Sequence, residues 1–148
     1  MKYFAYCSNM GCDMLPERGV RFSKRERAVL KGYRLLFNKR TTRNPEEGYA
    51  NIVKDEDGVV EGILYEIADK DIERLDRYEG YPQHYHRQKV KVRLQSGDVV
   101  EAVVYIARQE MTAEGLKPTR EYLNLLLKGC VLLSKEYCEK LRNTQTLD

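Results

Sequence analysis

The chain has 148 residues, of which 42% are hydrophobic and 33% charged, and it carries a net charge of +3. That length suits one domain able to bury about 70% of its unfolded surface, so no disulfide or metal is needed to hold it together. The composition excludes a disordered or low-complexity chain, and the longest apolar stretch, Tyr122 to Leu133, is interrupted by Asn124, Lys128 and Gly129 and is too short to span a membrane.

Lys2–Tyr6 reads as a short buried strand. Its aromatic run stops at three small polar residues, Cys7, Ser8 and Asn9. A loop held at the end of a core strand can aim backbone N–H groups and small side chains at a ligand. Residues 10–18 read as a turn or short helix. Ala28–Leu30 and Tyr33–Phe37 read as strand pieces, with Gly32 permitting a bend between them. Thr41–Gly48 is a loop by composition. Tyr49–Val53 and Val59–Ile67 read as strands joined in a hairpin across Asp57-Gly58, with Val59, Ile63, Tyr65 and Ile67 on one face.

Asp69 can cap a short helix running to Arg77, with Ile72 and Leu75 inward. Arg87–Leu94 alternates cleanly, and Ser96-Gly97 turns it into Val99–Ala107. Thr119 caps a leucine-rich helix that stops at Gly129, Ser134 caps a last helix ending near Arg142, and the tail from Asn143 is expected to fray. Six or more strands, mostly joined by hairpins, with helices late in the chain, predict one α+β domain with a largely antiparallel sheet or barrel.

The charge is uneven. Residues 1–44 hold 11 Lys/Arg against 3 Asp/Glu, and all the basic residues but Lys2 lie from Arg18 through Arg43. Such a cluster suits either a nucleic-acid surface or a solvated face. Few aromatics interleave with it, which favours the solvated face and argues against a nucleic-acid partner. The four cysteines, Cys7, Cys12, Cys130 and Cys138, form no C-x-x-C pair and read as reduced thiols. Only five apolar residues separate Lys2 from Ser8, which is no secretory signal, so a cytoplasmic protein is expected.

Nucleophilic catalysis finds little support. There is no G-x-S-x-G elbow, and the two histidines, His84 and His86, lie side by side on one segment. A zinc site from Cys7, Cys12, His84 and His86 lacks a ligand pair at structural spacing. Glu79 stands out instead, between a helix end and a glycine turn, with Tyr78, Tyr81 and Tyr85 near it in sequence. Packed among rings it would be desolvated and poised as a general base; at a solvated helix end it would be ordinary.

Several blocks in order, YFAYCSNM, GYANIV with VEGILYEI, LDRYEG, Tyr85 ahead of KVKV, and PTREY, resemble the γ-glutamylcyclotransferase (AIG2-like) family from Tyr3 to about Leu141. The resemblance implies a small mixed, largely antiparallel β-barrel flanked by helices. It also implies an enzyme that releases 5-oxoproline from a γ-glutamyl compound. By the same resemblance Glu79 is the catalytic glutamate. Tyr3, Phe4, Ala5, Tyr6, Cys7, Ser8 and Asn9 match the segment that cradles the glutamyl group, Tyr122 matches a substrate-contacting tyrosine, and Tyr85 and Tyr105 match cavity-lining aromatics.

The substrate's own α-amine is the nucleophile in such a reaction, so no protein nucleophile, metal or cofactor is required. The expected partner is a small γ-glutamyl substrate, with a homodimer through the leucine-rich helix left open. Cyclotransfer on γ-glutamylamines and a non-catalytic binding module are the alternatives. The family usually has glycine where this chain has Cys7. The loop therefore either uses ordinary φ and tolerates the side chain, or needs positive φ and is strained by about 1–3 kcal/mol.

Overall fold

A computed structural model describes residues 1–148. Five strands close into a mixed barrel in the order β1-β3-β2-β4-β5. They are β1 (Lys2–Ala5), β2 (Phe22–Arg40), β3 (Gly48–Ile67), β4 (Tyr85–Leu94) and β5 (Val99–Ala107). Every pairing is antiparallel except β1 with β5, which meet in parallel at Tyr3 and Val103 and close the barrel. Four helices flank it: α1 (Met14–Glu17), α2 (Ile72–Glu79), α3 (Arg120–Leu127) and α4 (Lys135–Arg142). The expected α+β barrel is the observed architecture.

The strand count differs from the expectation, and the reason is local. Asp57-Gly58 is not a hairpin turn. β3 runs through it as one strand and pairs with β2 on both sides, Tyr33 with Lys54 and Lys31 with Val59. Residues 55–58 bulge opposite Gly32, whose φ of 87° bends β2 at the same level. Two long bent strands thus take the place of four short ones, as a bulge pair lets a sheet curl toward closure. Val59, at the bulge, is exposed rather than inward, whereas Ile63, Tyr65 and Ile67 are buried.

The late elements follow the sequence closely. Thr119 Oγ1 accepts from the Tyr122 amide at 3.1 Å, and Ser134 Oγ from the Tyr137 amide at 3.2 Å, the two N-caps expected. Asp69 caps nothing; its carboxylate accepts from the N-terminal ammonium at 2.9 Å. Gly129 is not a left-handed stop either. The chain continues past α3 as a 3-10 turn, and Gly129 is needed because a Cβ there would lie 2.8 Å from Met10 Cβ. The tail is docked rather than frayed: Leu147 N–H donates to Pro118 O at 3.0 Å and Asp148 accepts from the Arg120 amide at 2.8 Å.

One further expectation changes. Cys130 and Cys138 form a disulfide, because the turn after α3 and the body of α4 bring their Cα atoms to 5.8 Å; Cys7 and Cys12 remain free. The basic first third is largely a solvated face, with several of its side chains in surface ion pairs. Arg21 meets Asp71 at 3.5 Å, Lys24 meets Glu26 at 3.2 Å, Arg34 meets Asp55 at 3.7 Å, and Arg43 forks onto Glu47 at 2.6 and 2.8 Å. No helix is long and apolar enough to cross a membrane.

Candidate active site

β1 ends at Ala5 and its chain passes through Tyr6 and Cys7 into a 3-10 turn, Ser8–Met10. Cys7 has φ −128°, and no residue other than glycine has positive φ. The loop therefore uses ordinary φ, and a side chain at position 7 brings no left-handed strain. Cys7 O accepts the Met10 amide at 3.2 Å, which leaves the amides of Ser8 and Asn9, the first two of the turn, without an intrahelical acceptor. Both lie toward the Cys7 sulfur and favour its thiolate, yet burial and the charge of Glu79 prevail and push the thiol up to about 12.

Glu79 is placed by the end of α2. Gly80 adopts the left-handed conformation, φ 70°, and the amides of Gly80 and Tyr81 return to the carbonyls of Arg77 and Asp76 at 3.3 and 2.9 Å. The helix thus ends at Glu79, its last residue. Across its previous turn, Asp76 accepts the Tyr105 hydroxyl of β5 at 2.7 Å and lies 3.4 Å from Arg87 of β4. These ties fix the helix on the barrel wall and turn Glu79 inward, where only 9% of it is exposed. Burial raises its pKa to about 7; the charges of Arg18 and then Lys39 pull the other way, and no hydrogen bond contributes.

Glu79 and the Cys7–Ser8 segment line one cavity of about 510 Å³, together with Lys39, Thr41, Thr42, Arg43, Tyr49, Arg77, Tyr78, His84, Tyr85 and Tyr122. Two of its tyrosines are held by one backbone unit. Tyr85 donates its hydroxyl to Ala50 O at 3.0 Å, while Tyr122 accepts the Ala50 amide at 3.1 Å. Tyr85 has therefore spent its proton, and Tyr122 has a hydroxyl hydrogen still to donate. Burial raises both phenols far above their ordinary value, so both stay protonated. On another wall, Ser8 Oγ lies 3.5 Å from the Tyr78 hydroxyl, and Arg18 stacks over the Tyr78 ring at 3.7 Å.

The residues singled out in the sequence thus divide. Cys7, Ser8, Glu79, Tyr85 and Tyr122 meet at the cavity. Tyr3, Phe4, Ala5, Tyr6, Asn9 and Tyr105 do not line it; they are buried in the core beside it. The reason is the pitch of β1, which is covered on both faces and so surfaces only after Tyr6. Asn9 Nδ2 donates to Tyr3 at 2.9 Å, Tyr65 donates to Asn9 O at 2.7 Å, and Tyr6 donates to Tyr105 O at 2.6 Å. These bonds hold the loop from behind. Tyr78, named beside Glu79, does line the cavity, whereas Lys39, Tyr49 and the Thr41–Arg43 segment were not singled out as site residues. Only the antiparallel return of β2 and β3 brings them to the loop end of β1, and nothing in their sequence spacing signals that.

A profile of the family described as gamma-glutamyl cyclotransferase, AIG2-like, matches residues 3–124. A solved gamma-glutamyl cyclotransferase superposes with a TM-score of 0.87 at 25% identity, over 99% of this chain and 89% of the other. YkqA from Bacillus subtilis superposes with a TM-score of 0.85 at 26% identity, over 99% of this chain but 55% of its own. A Methanocaldococcus jannaschii protein provisionally named a gamma-glutamylcyclotransferase is 43% identical over 44 residues, which is 30% of this chain and 37% of that one. With a family match across most of its length and the same barrel in its structural relatives, this chain belongs to the gamma-glutamyl cyclotransferase, AIG2-like family.

Proposed function

We propose that the protein is a γ-glutamyl cyclotransferase, releasing 5-oxoproline and a free amine from a γ-glutamyl compound, with Glu79 as base and then acid. The observation that carries this reading is the state of Glu79: a carboxyl in a cavity wall, buried, without a hydrogen bond, its pKa raised to about 7. A carboxylate so poised can take a proton at neutral pH and return it within one turnover.

The reaction balances without a group from outside. Glu79 removes a proton from the substrate's α-ammonium. The freed amine attacks the γ-carbonyl carbon, closing a five-membered ring with a tetrahedral centre. Collapse of that centre breaks the bond to the departing nitrogen, which takes the proton from Glu79; the ring nitrogen then loses its second proton through the same carboxylate to the departing amine, which leaves as an ammonium. Holding the glutamyl chain curled supplies much of the rate, because the attack is intramolecular.

The developing oxyanion needs donors already aimed at it. The amide of Ser8, which lines the cavity, is unspent by the helix, and the Tyr122 hydroxyl retains its hydrogen. The uncharged Cys7 thiol narrows the same space but is too weak an acid to act as a nucleophile near neutral pH.

The test is 5-oxoproline release, followed by chromatography, from a panel of γ-glutamyl dipeptides and amines. Native protein should release it, and Glu79→Gln should lose at least about 100-fold in kcat while still binding substrate. Native protein that binds these compounds and releases no 5-oxoproline from any of them is a binding module and not this enzyme.

A further inference from the structure

Lys39 is the one member of the basic cluster that is buried, with 5% of its surface exposed. Unlike Arg21, Lys24, Arg34 and Arg43 it has no carboxylate at ion-pair distance; Glu79 acts on it only through its field. Its ammonium donates to Arg40 O at 2.6 Å and stands 5.7 Å from the centre of the Tyr85 ring. An ammonium has three donors, so two remain to be used. A buried cation left unpaired is costly, and an anion that enters beside it is correspondingly favoured. Lys39 lines the Glu79 cavity, so that anion belongs to the cavity's ligand.

The position of Lys39 indicates which part of the ligand it meets. Its ammonium turns to the carbonyl of Arg40, where β2 leaves the barrel for Thr41, Thr42 and Arg43. That segment lines the exposed side of the cavity, whereas Ser8 and Glu79 line its buried side. If the scissile bond lies between Glu79 and the Ser8 amide, as the proposed function has it, the departing group extends past Lys39 toward the opening. Arg43 is already charge-paired, its Nε and Nη2 forking onto the Glu47 carboxylate, whereas Lys39 has no carboxylate of its own.

We propose that Lys39 pairs with the carboxylate of the departing group, so that the substrates are γ-glutamyl α-amino acids or peptides, and not γ-glutamylamines. An amine without a carboxylate leaves Lys39 unpaired, and a cationic amine sets a like charge against it. This inference rests on the proposed reaction only for the direction in which the substrate lies.

Two ligands isolate the carboxylate. γ-Glutamylalanine and γ-glutamylethylamide differ by that group alone. Calorimetry on Glu79→Gln protein reads binding without turnover. γ-Glutamylalanine should bind about tenfold tighter or more. In the Glu79→Gln, Lys39→Met protein that ratio should fall below about threefold, and Lys39→Arg should keep most of it, which separates lost charge from lost fold. Equal affinities, or no binding of either ligand, overturn the inference. So does a Lys39→Met change that weakens both ligands in the same proportion, because Lys39 then holds the α-carboxylate they share. A native protein that shows the preference but releases no 5-oxoproline sinks the proposed reaction and leaves this inference standing.

Discussion

The Tyr105 hydroxyl donates to Asp76 Oδ1 at 2.7 Å, joining strand β5 to helix α2 one turn before Glu79. Neither residue lines the cavity, yet their bond sets where the buried carboxyl points. Tyr105→Phe should cost about 1–2 kcal/mol of stability, read by urea unfolding. It should lower kcat three- to tenfold, roughly, with little change in the pH dependence, since Glu79 keeps its surroundings. An unchanged kcat would mean that the Gly80 turn alone fixes the carboxyl.

The pH profile follows from Glu79 and its neighbours. If its ionised form is the base, kcat/KM should rise with pH through about 7. Arg18 is the larger charge holding that value down and Lys39 the smaller. Arg18→Gln should therefore move the acid limb upward, by about half a pH unit or more. A downward shift, or none, would show that Arg18 acts only through its stacking on Tyr78.

Stability should carry the same signature with a definite sign. The folded pKa of Glu79 lies above its ordinary value of 4.5. Below about pH 4.5 the folded and unfolded chains both hold the proton, and the group contributes nothing. Between 4.5 and 7 the unfolded chain releases it first, so stability falls as pH rises, and above 7 the full loss is present. Glu79→Gln removes that loss. It should stabilise the protein by roughly 3 kcal/mol at pH 8 and by little near pH 4.5. Thermal unfolding at the two pH values measures the difference; an equal gain at both would assign it to packing instead.

Cys7 should be a quiet thiol. Burial and the nearby carboxylate push it up to about 12, whereas Cys12 is exposed. Iodoacetamide at pH 7.5, read by peptide mass spectrometry, should label Cys12 at least about tenfold faster. Because φ at position 7 is −128°, Cys7→Gly should fold normally. It should also uncover the Ser8 amide and raise kcat/KM. A fall in kcat/KM would mean that the sulfur packs against the substrate.

Local pattern was enough for the elements whose reasons are local. Thr119 and Ser134 cap their helices, β5 has the bounds its alternation predicts, and the aromatic run Tyr3–Tyr6 is core. Asp57-Gly58 misled because its turn chemistry is the same in a hairpin and in a bulge; only barrel closure chose the bulge. The Cys130–Cys138 bond was hidden in the same way, since the spacing does not say that a turn will fold one cysteine over the other.

The sequence by itself determined the fold class, the family blocks, and the segments Cys7–Asn9 and Tyr78–Gly80 as the places to look. The tertiary structure decided the rest. It separated Cys7 and Ser8, which face the cavity, from Tyr3, Tyr6 and Asn9, which support it, and it buried Glu79 deeply enough to raise its pKa. It also brought Lys39 from the far end of β2 to the same cavity without a carboxylate at ion-pair distance. Burial and pairing are properties of neighbours distant in the chain, and residue type and spacing do not carry them.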